Sequence, residues 1–154
     1  SPTGALLTLN GRDITKEIRS AVVTNCASDV SALKIVRKSM VLIQRKMAEF
    51  NDCVLEGRDI GTVVFPNANY KFFLIADEKA RAERRLKDLK AIGEQSSIEE
   101  VMMDLINRDF KDSTRAHSPL KKSDDAIIID TSDLEINEVI DKIVNIVNQK
   151  RTLD

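Results

Sequence analysis

The segment 107–115 carries the side chains whose types and spacing best suit chemistry. If the segment is helical, Arg108, Asp112 and Arg115 stand at positions i, i+4 and i+7, on one face. Two guanidiniums with a carboxylate between them suit a polyanionic ligand, because arginine forks bind phosphate oxygens bidentately. The aspartate then holds an arginine in place or accepts a hydrogen bond from a sugar hydroxyl. The alternative is an exposed helical salt bridge worth only about 0.2–0.5 kcal/mol, and the segment alone favours neither interpretation.

A second candidate is the charged loop Glu56-Gly57-Arg58-Asp59, which follows the apolar run Cys53-Val54-Leu55. We interpret the apolar run as a buried strand. Ligands of open parallel sheets bind beyond the carboxyl ends of the strands, so Glu56, Arg58 and Asp59 would lie at such a site. For so common a tripeptide as Gly-Arg-Asp, the simpler interpretation is a solvated loop in which Arg58 and Asp59 pair with each other.

The other polar residues indicate structural roles or none. Cys26 and Cys53 are interpreted as small core residues, and His117 has no partner at a suggestive spacing. No zinc-ligand spacing and no Ser-His-Asp order can be assembled, so hydrolase chemistry lacks support. Glycine occurs only at positions 4, 11, 57, 61 and 93, so the sequence contains neither G-x-x-x-x-G-K-[ST] nor G-x-G-x-x-G. We interpret the basic run Arg81, Arg84, Arg85 and Lys87 as a solvated helix face.

Composition limits the classes of protein to which the chain can belong. Its 154 residues include 24 Lys and Arg against 25 Asp and Glu, for a net charge of −1, and 42% are hydrophobic. This mixture excludes intrinsic disorder, and the near-neutral charge argues against bulk attraction to nucleic acid or membrane. Aromatic residues are only 4% with no Trp, which disfavours stacking on single-stranded nucleic acid. We expect a soluble, cytoplasmic globular protein.

Short apolar strands alternate with amphipathic helices along the chain. Residues 5–9 read as a strand ended by the turn signal Asn10-Gly11, with no apparent partner strand. Further strands are predicted at 53–55, 71–75 and 126–130. The predicted helices lie within 14–50, at about 78–92 after an Asp77 cap, after a Ser96 to Glu99 capping box, and after a Ser132 to Glu135 capping box, the last with an apolar stripe. The pattern indicates an α/β fold with a parallel sheet covered on both faces.

Taken together, these segments resemble the bacterial cytidylate (CMP) kinases, which are nucleoside monophosphate kinases of the P-loop class. The resemblance runs from about residue 5 to residue 148. Its most specific stretch is the run Gly-Arg-Asp-Ile-Gly-Thr-Val-Val-Phe-Pro at 57–66. The other matching stretches are Leu9 to Arg19, Asn25 to Ser28, Arg81 to Arg85 and Asn107 to Pro119.

The resemblance implies a P-loop kinase core with a nucleotide-binding insert and a helical lid, present here only in part. It places a remnant of the insert at 1–13, core at 14–76, the lid and its flanking helices at 77–115, and the last core strand and helix at 116–154. The family's first strand, phosphate loop and most of its insert have no counterpart, so the chain looks like a carboxyl-terminal portion, and the unpaired strand at 5–9 would be half of a divided hairpin. We expect the resulting gap in the sheet to be filled by an amino-terminal piece or a swapped strand of a homo-oligomer, or closed by the remaining strands.

The resemblance also implies ATP-dependent and Mg²⁺-dependent phosphorylation of CMP or dCMP. Asp59 and Arg37 match base-reading positions, and Ser28, Arg108 and Asp112 match positions around the pentose. Arg58, Arg108 and Arg115 would face phosphates, with Arg108 and Arg115 as the catalytic residues. Arg81 and Arg85 would close the lid over ATP, and no metal ligand is assigned within the chain. The family's basic run before Arg115 is replaced here by Phe110, Lys111, Ser113 and Thr114.

Without a phosphate loop the chain alone is expected to be inactive. Two other hypotheses stay open. One is a non-catalytic nucleotide-binding fragment or split subunit, and the other is a kinase for another monophosphate such as UMP.

Overall fold

A computed structural model describes residues 6–151 and has the predicted α/β character, with a small parallel sheet and helices. In chain order the elements are β1 (Thr8–Leu9), β2 (Arg12–Asp13), a 3₁₀ turn (Glu17–Arg19), α1 (Ala21–Ser31), α2 (Lys34–Met47), a π-helical turn (Ile60–Val64), β3 (Phe72–Ile75), α3 (Glu78–Ala91), α4 (Ile98–Thr114), β4 (Ile127–Asp130) and α5 (Ile136–Arg151). The helices predicted within 14–50 are thus α1 and α2 after a short 3₁₀ turn. No helix within the described range is long and apolar enough to cross a membrane.

The amino-terminal strand has its partner within the chain. Thr8 pairs with Asp13 and Leu9 with Arg12 in an antiparallel hairpin. The turn between them has Asn10 at φ 51° and Gly11 at φ 80°, and two consecutive left-handed residues match the twist of a two-residue hairpin. The expectation of an unpaired half-hairpin is therefore wrong, because the second strand follows the turn directly. Residue 5 of the predicted strand lies outside the described residues.

The parallel sheet has two strands in the described part of the chain, β3 and β4, paired from Phe72 with Ile127 to Ile75 with Asp130. The prediction of a buried strand at 53–55 is wrong: this segment is not a strand, and Val54 is fully exposed. An extended segment is buried only when neighbouring strands bond its backbone and cover its side chains. The interpretation of Cys26 and Cys53 as core residues is wrong too, since both are exposed.

The best-packed part of the molecule is the pair of helices α3 and α4. Ala82, Leu89 and Val101 are buried between them. At the end of α3, Gly93 adopts φ 85° and donates its N–H to Lys90 O, while the Glu94 N–H bonds Leu89 O. These two bonds form a Schellman motif, which ends the helix and lets the chain reverse into α4.

Local hydrogen bonds set the starts of α3 and α4. The predicted Asp77 cap is confirmed, because its carboxylate accepts a hydrogen bond from the Ala80 N–H. The capping box of α4 is one residue later than predicted: Ser97 and Glu100, in place of Ser96 and Glu99, exchange the two bonds.

The predicted capping box before α5 is also wrong. The Ser132 hydroxyl bonds Asp130 and accepts the Asp77 N–H. The reciprocal contact at the start of α5 comes from Glu138, whose carboxylate accepts the Glu135 N–H. Ser132 therefore ties β4 to the start of α3 and does not cap α5.

The sheet is not covered on both faces by the described residues. Leu74 and Ile128 in the two strands are each more than half exposed. The apolar stripe of α5 is present, but Ile136, Ile140 and Val144 on it are exposed as well. Parallel strands are ordinarily buried on both faces, and the register, which pairs Leu74 with Ile129 and Phe73 with Ile128, puts Leu74 and Ile128 on opposite faces. The described residues therefore leave apolar side chains uncovered on both faces of the sheet and on α5.

Candidate active site

A cavity of about 270 Å³ lies between helices α1, α2 and α4 and the loop that precedes the π-helical turn. Its lining includes every residue predicted to bind substrate: Ser28, Arg37, Arg58, Asp59, Arg108, Asp112 and Arg115. Ala27 and Ser31 also line it and were missed by the sequence analysis. Ser31 lies one helical turn after Ser28, so helical periodicity from Ser28 could have found it.

Asp112 is the centre of the arginine cluster, with only 4% of its surface exposed. Its Oδ2 accepts a hydrogen bond from Arg58 Nε at 3.0 Å and lies 3.9 Å from Arg108 Nε. Its Oδ1 accepts from Arg115 Nη1 at 3.3 Å. The predicted face of Arg108, Asp112 and Arg115 is therefore present, with the side chains of Asp112 and Arg115 buried and that of Arg108 half-buried. Arg58 joins it from 54 residues away in sequence. An exposed helical salt bridge does not describe this arrangement.

The end of α4 turns sharply and brings Arg115 back over Asp112. Arg115 caps the helix in an extended conformation, and its Nε donates to Ser118 O at 2.6 Å. The Leu120 N–H donates to Asp112 O at 2.7 Å. Ser118 itself is held at φ 50°. These bonds fix the Arg115 guanidinium relative to the helix.

Asp59 lies across the cavity and is paired with Arg37 of α2, not with its neighbour Arg58. The two side chains are nearly buried, at 8% and 12% exposure respectively. Arg37 also donates from Nη1 to Ser31 O at 3.0 Å, which orients the guanidinium against α1. The solvated-loop interpretation of Gly-Arg-Asp is therefore wrong, because Arg58 and Asp59 each pair with a different distant residue.

The cavity is suited to an anion. Arg37 Nε, Arg108 Nε and Arg115 Nη2 are buried and have no hydrogen-bond partner among residues 6–151, whereas buried donors in proteins are nearly always bonded. Burial lowers the pKa of Arg108 and Arg115, and neighbouring guanidiniums lower it further, chiefly Arg58 for Arg108 and Arg37 for Arg115. A bound anion would supply the missing acceptors and relieve this repulsion.

The arginines of α3 lie outside the cavity lining and have partners of their own. Arg81 forms an ion pair with Asp109 at 2.5 Å, and Arg85 donates to Arg19 O at 3.3 Å and Thr24 Oγ1 at 3.4 Å. Arg84 donates to three carbonyls that follow β4, those of Thr131, Ser132 and Leu134. Arg84 is exposed although it links α3 to the chain after β4, whereas Arg81 and Arg85 are half-buried. The interpretation of this run as a solvated face is therefore wrong for Arg81 and Arg85.

The chain is similar in sequence to known proteins over almost its whole length. Residues 3–149 match the family model described as cytidylate kinase. The chain belongs to the cytidylate kinase family. It is 46% identical over 143 residues to a cytidylate kinase of Lactobacillus johnsonii, covering 93% of this chain and 62% of the relative. It is 44% identical over 144 residues to a cytidylate kinase of Geobacter sulfurreducens, covering 94% and 62%.

A third relative, a cytidylate kinase of Clostridium botulinum, is 42% identical over 146 residues, which is 95% of this chain and 67% of the relative. The chain thus spans about 62% of the length of the first two relatives. Membership in the family confirms the resemblance on which the site residues were chosen.

Proposed function

We propose that this chain contributes the nucleotide-acceptor side of an ATP-dependent kinase that phosphorylates CMP or dCMP. The observation that carries the proposal is the shared cavity, in which an Arg37–Asp59 pair faces a cluster of Arg58, Arg108 and Arg115 around Asp112. One end of such a cavity suits a base with both donors and acceptors, and the other suits phosphates. Family membership supports the same reading.

Cytosine recognition follows from the hydrogen-bonding groups of Arg37 and Asp59. Cytosine presents an N4 amino donor beside acceptors at N3 and O2. The Asp59 carboxylate would accept from N4, and the unpartnered Arg37 Nε would donate to a ring acceptor. Uracil has an acceptor at O4, which would face the Asp59 carboxylate, and two acceptors cannot bond each other. The pair therefore favours CMP over UMP.

The arginine cluster would bind the sugar and phosphates. Ser28 lines the cavity from α1, and its hydroxyl together with Asp112 and Arg108 suits pentose hydroxyls. The unpartnered nitrogens of Arg108 and Arg115 would bond phosphoryl oxygens. We propose that these two residues neutralise charge on the transferred group, since phosphoryl transfer depends mainly on positioning and on fixed positive charge. Arg58 would hold the acceptor phosphate.

The donor side involves α3 and residues that this sequence does not contain. We propose that the region 77–115 acts as a lid and that Arg81 and Arg85 exchange their present partners for ATP phosphates when it closes. No group of three or more His, Cys, Asp or Glu residues within 6–151 is placed to hold a metal ion. Mg²⁺, when bound with ATP, would neutralise phosphate charge in this kinase, and the ligands for it are not proposed among the described side chains.

Binding of nucleotides to the 154-residue chain tests the assignment of the base site. Calorimetric titration is expected to show CMP binding more tightly than UMP. Asp59→Asn is expected to reduce that preference about tenfold or more, since a good base contact is worth about 1–3 kcal/mol of discrimination. Asp104→Asn makes the same charge change at an exposed position of α4 and should leave the preference unchanged. A wild-type preference for UMP would overturn the assignment of Asp59.

An activity assay separates the enzyme from the alternative of a nucleotide-binding module. The sequence has no G-x-x-x-x-G-K-[ST], so we propose that residues 1–154 by themselves bind CMP without transferring phosphate. With ATP, Mg²⁺ and CMP, we expect no CDP above background. Turnover at the rate of a complete kinase would contradict this. CDP formation after addition of a polypeptide carrying the phosphate loop would support the enzyme over the binding module.

The uncovered apolar surface supports such a partner. Val54 is fully exposed, and Leu74 and Ile128 of the sheet are more than half exposed. We propose that the phosphate-loop polypeptide pairs a strand with the sheet and covers these side chains, because about 38% of the length of the relative is not matched by this chain. Light scattering of the chain alone and with the unmatched part of the Lactobacillus johnsonii relative tests this. A heterodimer supports it, whereas a homodimer that takes up no added polypeptide indicates a swapped strand.

A further inference from the structure

Arg45 lies on α2, eight residues after Arg37, and does not line the cavity. Its Nε donates to Val64 O at 2.8 Å and its Nη2 donates to Val63 O at 2.7 Å. Both carbonyls belong to the last residues of the π-helical turn Ile60–Val64. One guanidinium therefore holds two successive carbonyls that the turn leaves unbonded at its end.

The other end of the same turn begins at Asp59. The N–H groups of Val63 and Val64 both donate to Asp59 O, at 2.8 and 3.1 Å, and Val64 is almost completely buried. The side chain of Asp59 is paired with Arg37. Helix α2 thus contacts the segment 59–64 at both ends: Arg37 pairs with Asp59 at the start of the segment, and Arg45 bonds Val63 and Val64 at its end.

We propose that Arg45 is a positioning residue for base recognition. Arg45 fixes the end of the π-helical turn against α2. This contact holds the Asp59 backbone where the Asp59 carboxylate can reach both Arg37 and the base in the cavity. A π-helical turn is a rare element that occurs frequently at functional sites, and here its last two carbonyls are bonded from outside the turn by Arg45. The inference rests on the proposed function, because it assigns the turn to cytosine recognition.

The test compares a ligand that has the base with one that lacks it. In Arg45→Met, calorimetry is expected to show about tenfold weaker CMP binding, the effect of losing charge-assisted hydrogen bonds. Ribose 5-phosphate would contact Ser28 and the arginine cluster but not Asp59, so its binding is expected to stay within a factor of about two. Arg45→Lys keeps the positive charge but lacks the planar fork that meets both carbonyls, and should restore part of the CMP affinity. Lys46→Met, at an exposed neighbour on α2, is the matched control.

A second measurement follows the turn without any ligand. Hydrogen exchange of the Val63 and Val64 amides should be faster in Arg45→Met than in wild type, while amides of α4 are unchanged. Equal weakening of CMP and ribose 5-phosphate would overturn the inference and leave a purely structural tie. Unchanged exchange at the two amides would overturn it as well, because Arg45 would then not hold the turn. If wild-type chain binds ribose 5-phosphate but shows no added affinity for CMP, the proposed function fails, while the exchange data still report whether Arg45 clamps the turn.

Discussion

Asp112→Asn is the perturbation whose effect the structure predicts most directly. The change removes the negative charge at the centre of three guanidiniums but keeps the size of the side chain and an acceptor oxygen. The Arg115–Asp112 pair is the most buried, at 8% and 6% side-chain exposure. Arg58 and Arg108 are 39% and 37% exposed, so solvent screens their share.

The magnitude follows from these exposures. Breaking a buried ion pair by removing one partner costs about 3–5 kcal/mol, whereas each exposed pair contributes about 0.2–1 kcal/mol. Because asparagine still accepts one hydrogen bond, we expect a loss near the lower bound, about 3 kcal/mol of unfolding free energy. For a chain of this size that corresponds to a fall in Tm of about 6–12 °C.

Urea unfolding followed by circular dichroism measures the loss, and Asp109→Asn is the control. Asp109 lies one turn earlier on α4 and pairs with Arg81, with about a third of each side chain exposed. Its replacement is expected to cost about 1 kcal/mol or less. If Asp112→Asn costs no more than Asp109→Asn, the carboxylate is solvated in the folded protein and the account of a buried arginine cluster fails.

Three further predictions concern stability. The hydrogen bond from Lys71 lowers the pKa of Asp125 below its ordinary value of 3.8; the contact therefore stabilises the fold above about pH 4 and is lost as the pH falls through the folded-state value. Urea titrations at about pH 5.5 and 3 should show wild type losing more stability than Asp125→Asn, and equal losses would contradict the assignment. Ser97→Ala removes the cap of α4 and should cost about 1 kcal/mol, measured by thermal unfolding; an unchanged Tm would show that the capping box is not formed in solution. In Gly61→Ala the new Cβ would lie 3.3 Å from Lys71 Cδ and Ser123 Oγ, so we expect a loss of about 1–3 kcal/mol from crowding in the same assay, whereas a stabilised variant would show that this contact is loose.

Local sequence signals were sufficient where one element contains the whole interaction. The Asn10-Gly11 turn, the Asp77 cap and the shared face of Arg108, Asp112 and Arg115 depend on residues within a few positions of one another. Even so, Ser96 and Ser97 are followed by two glutamates and both have capping-box spacing. The spacing alone therefore cannot choose between the two helix starts, and the structure places the cap at Ser97.

Contacts between distant segments were decided only by the tertiary structure. That Asp59 pairs with Arg37 and Arg58 with Asp112 cannot be inferred from spacing, since 22 and 54 residues separate the partners. The role of Arg45 is equally hidden, because its partners are backbone carbonyls, which every sequence has.

The residue types, the helical and strand periods and the family are set by the sequence, and these already select the side chains that line the cavity. The tertiary structure alone decided which charges are buried together and which apolar side chains stay exposed, as at Val54 and Ile128. The physical reason is that periodicity records which face of an element is apolar, whereas burial and charge pairing depend on the neighbouring element that covers that face.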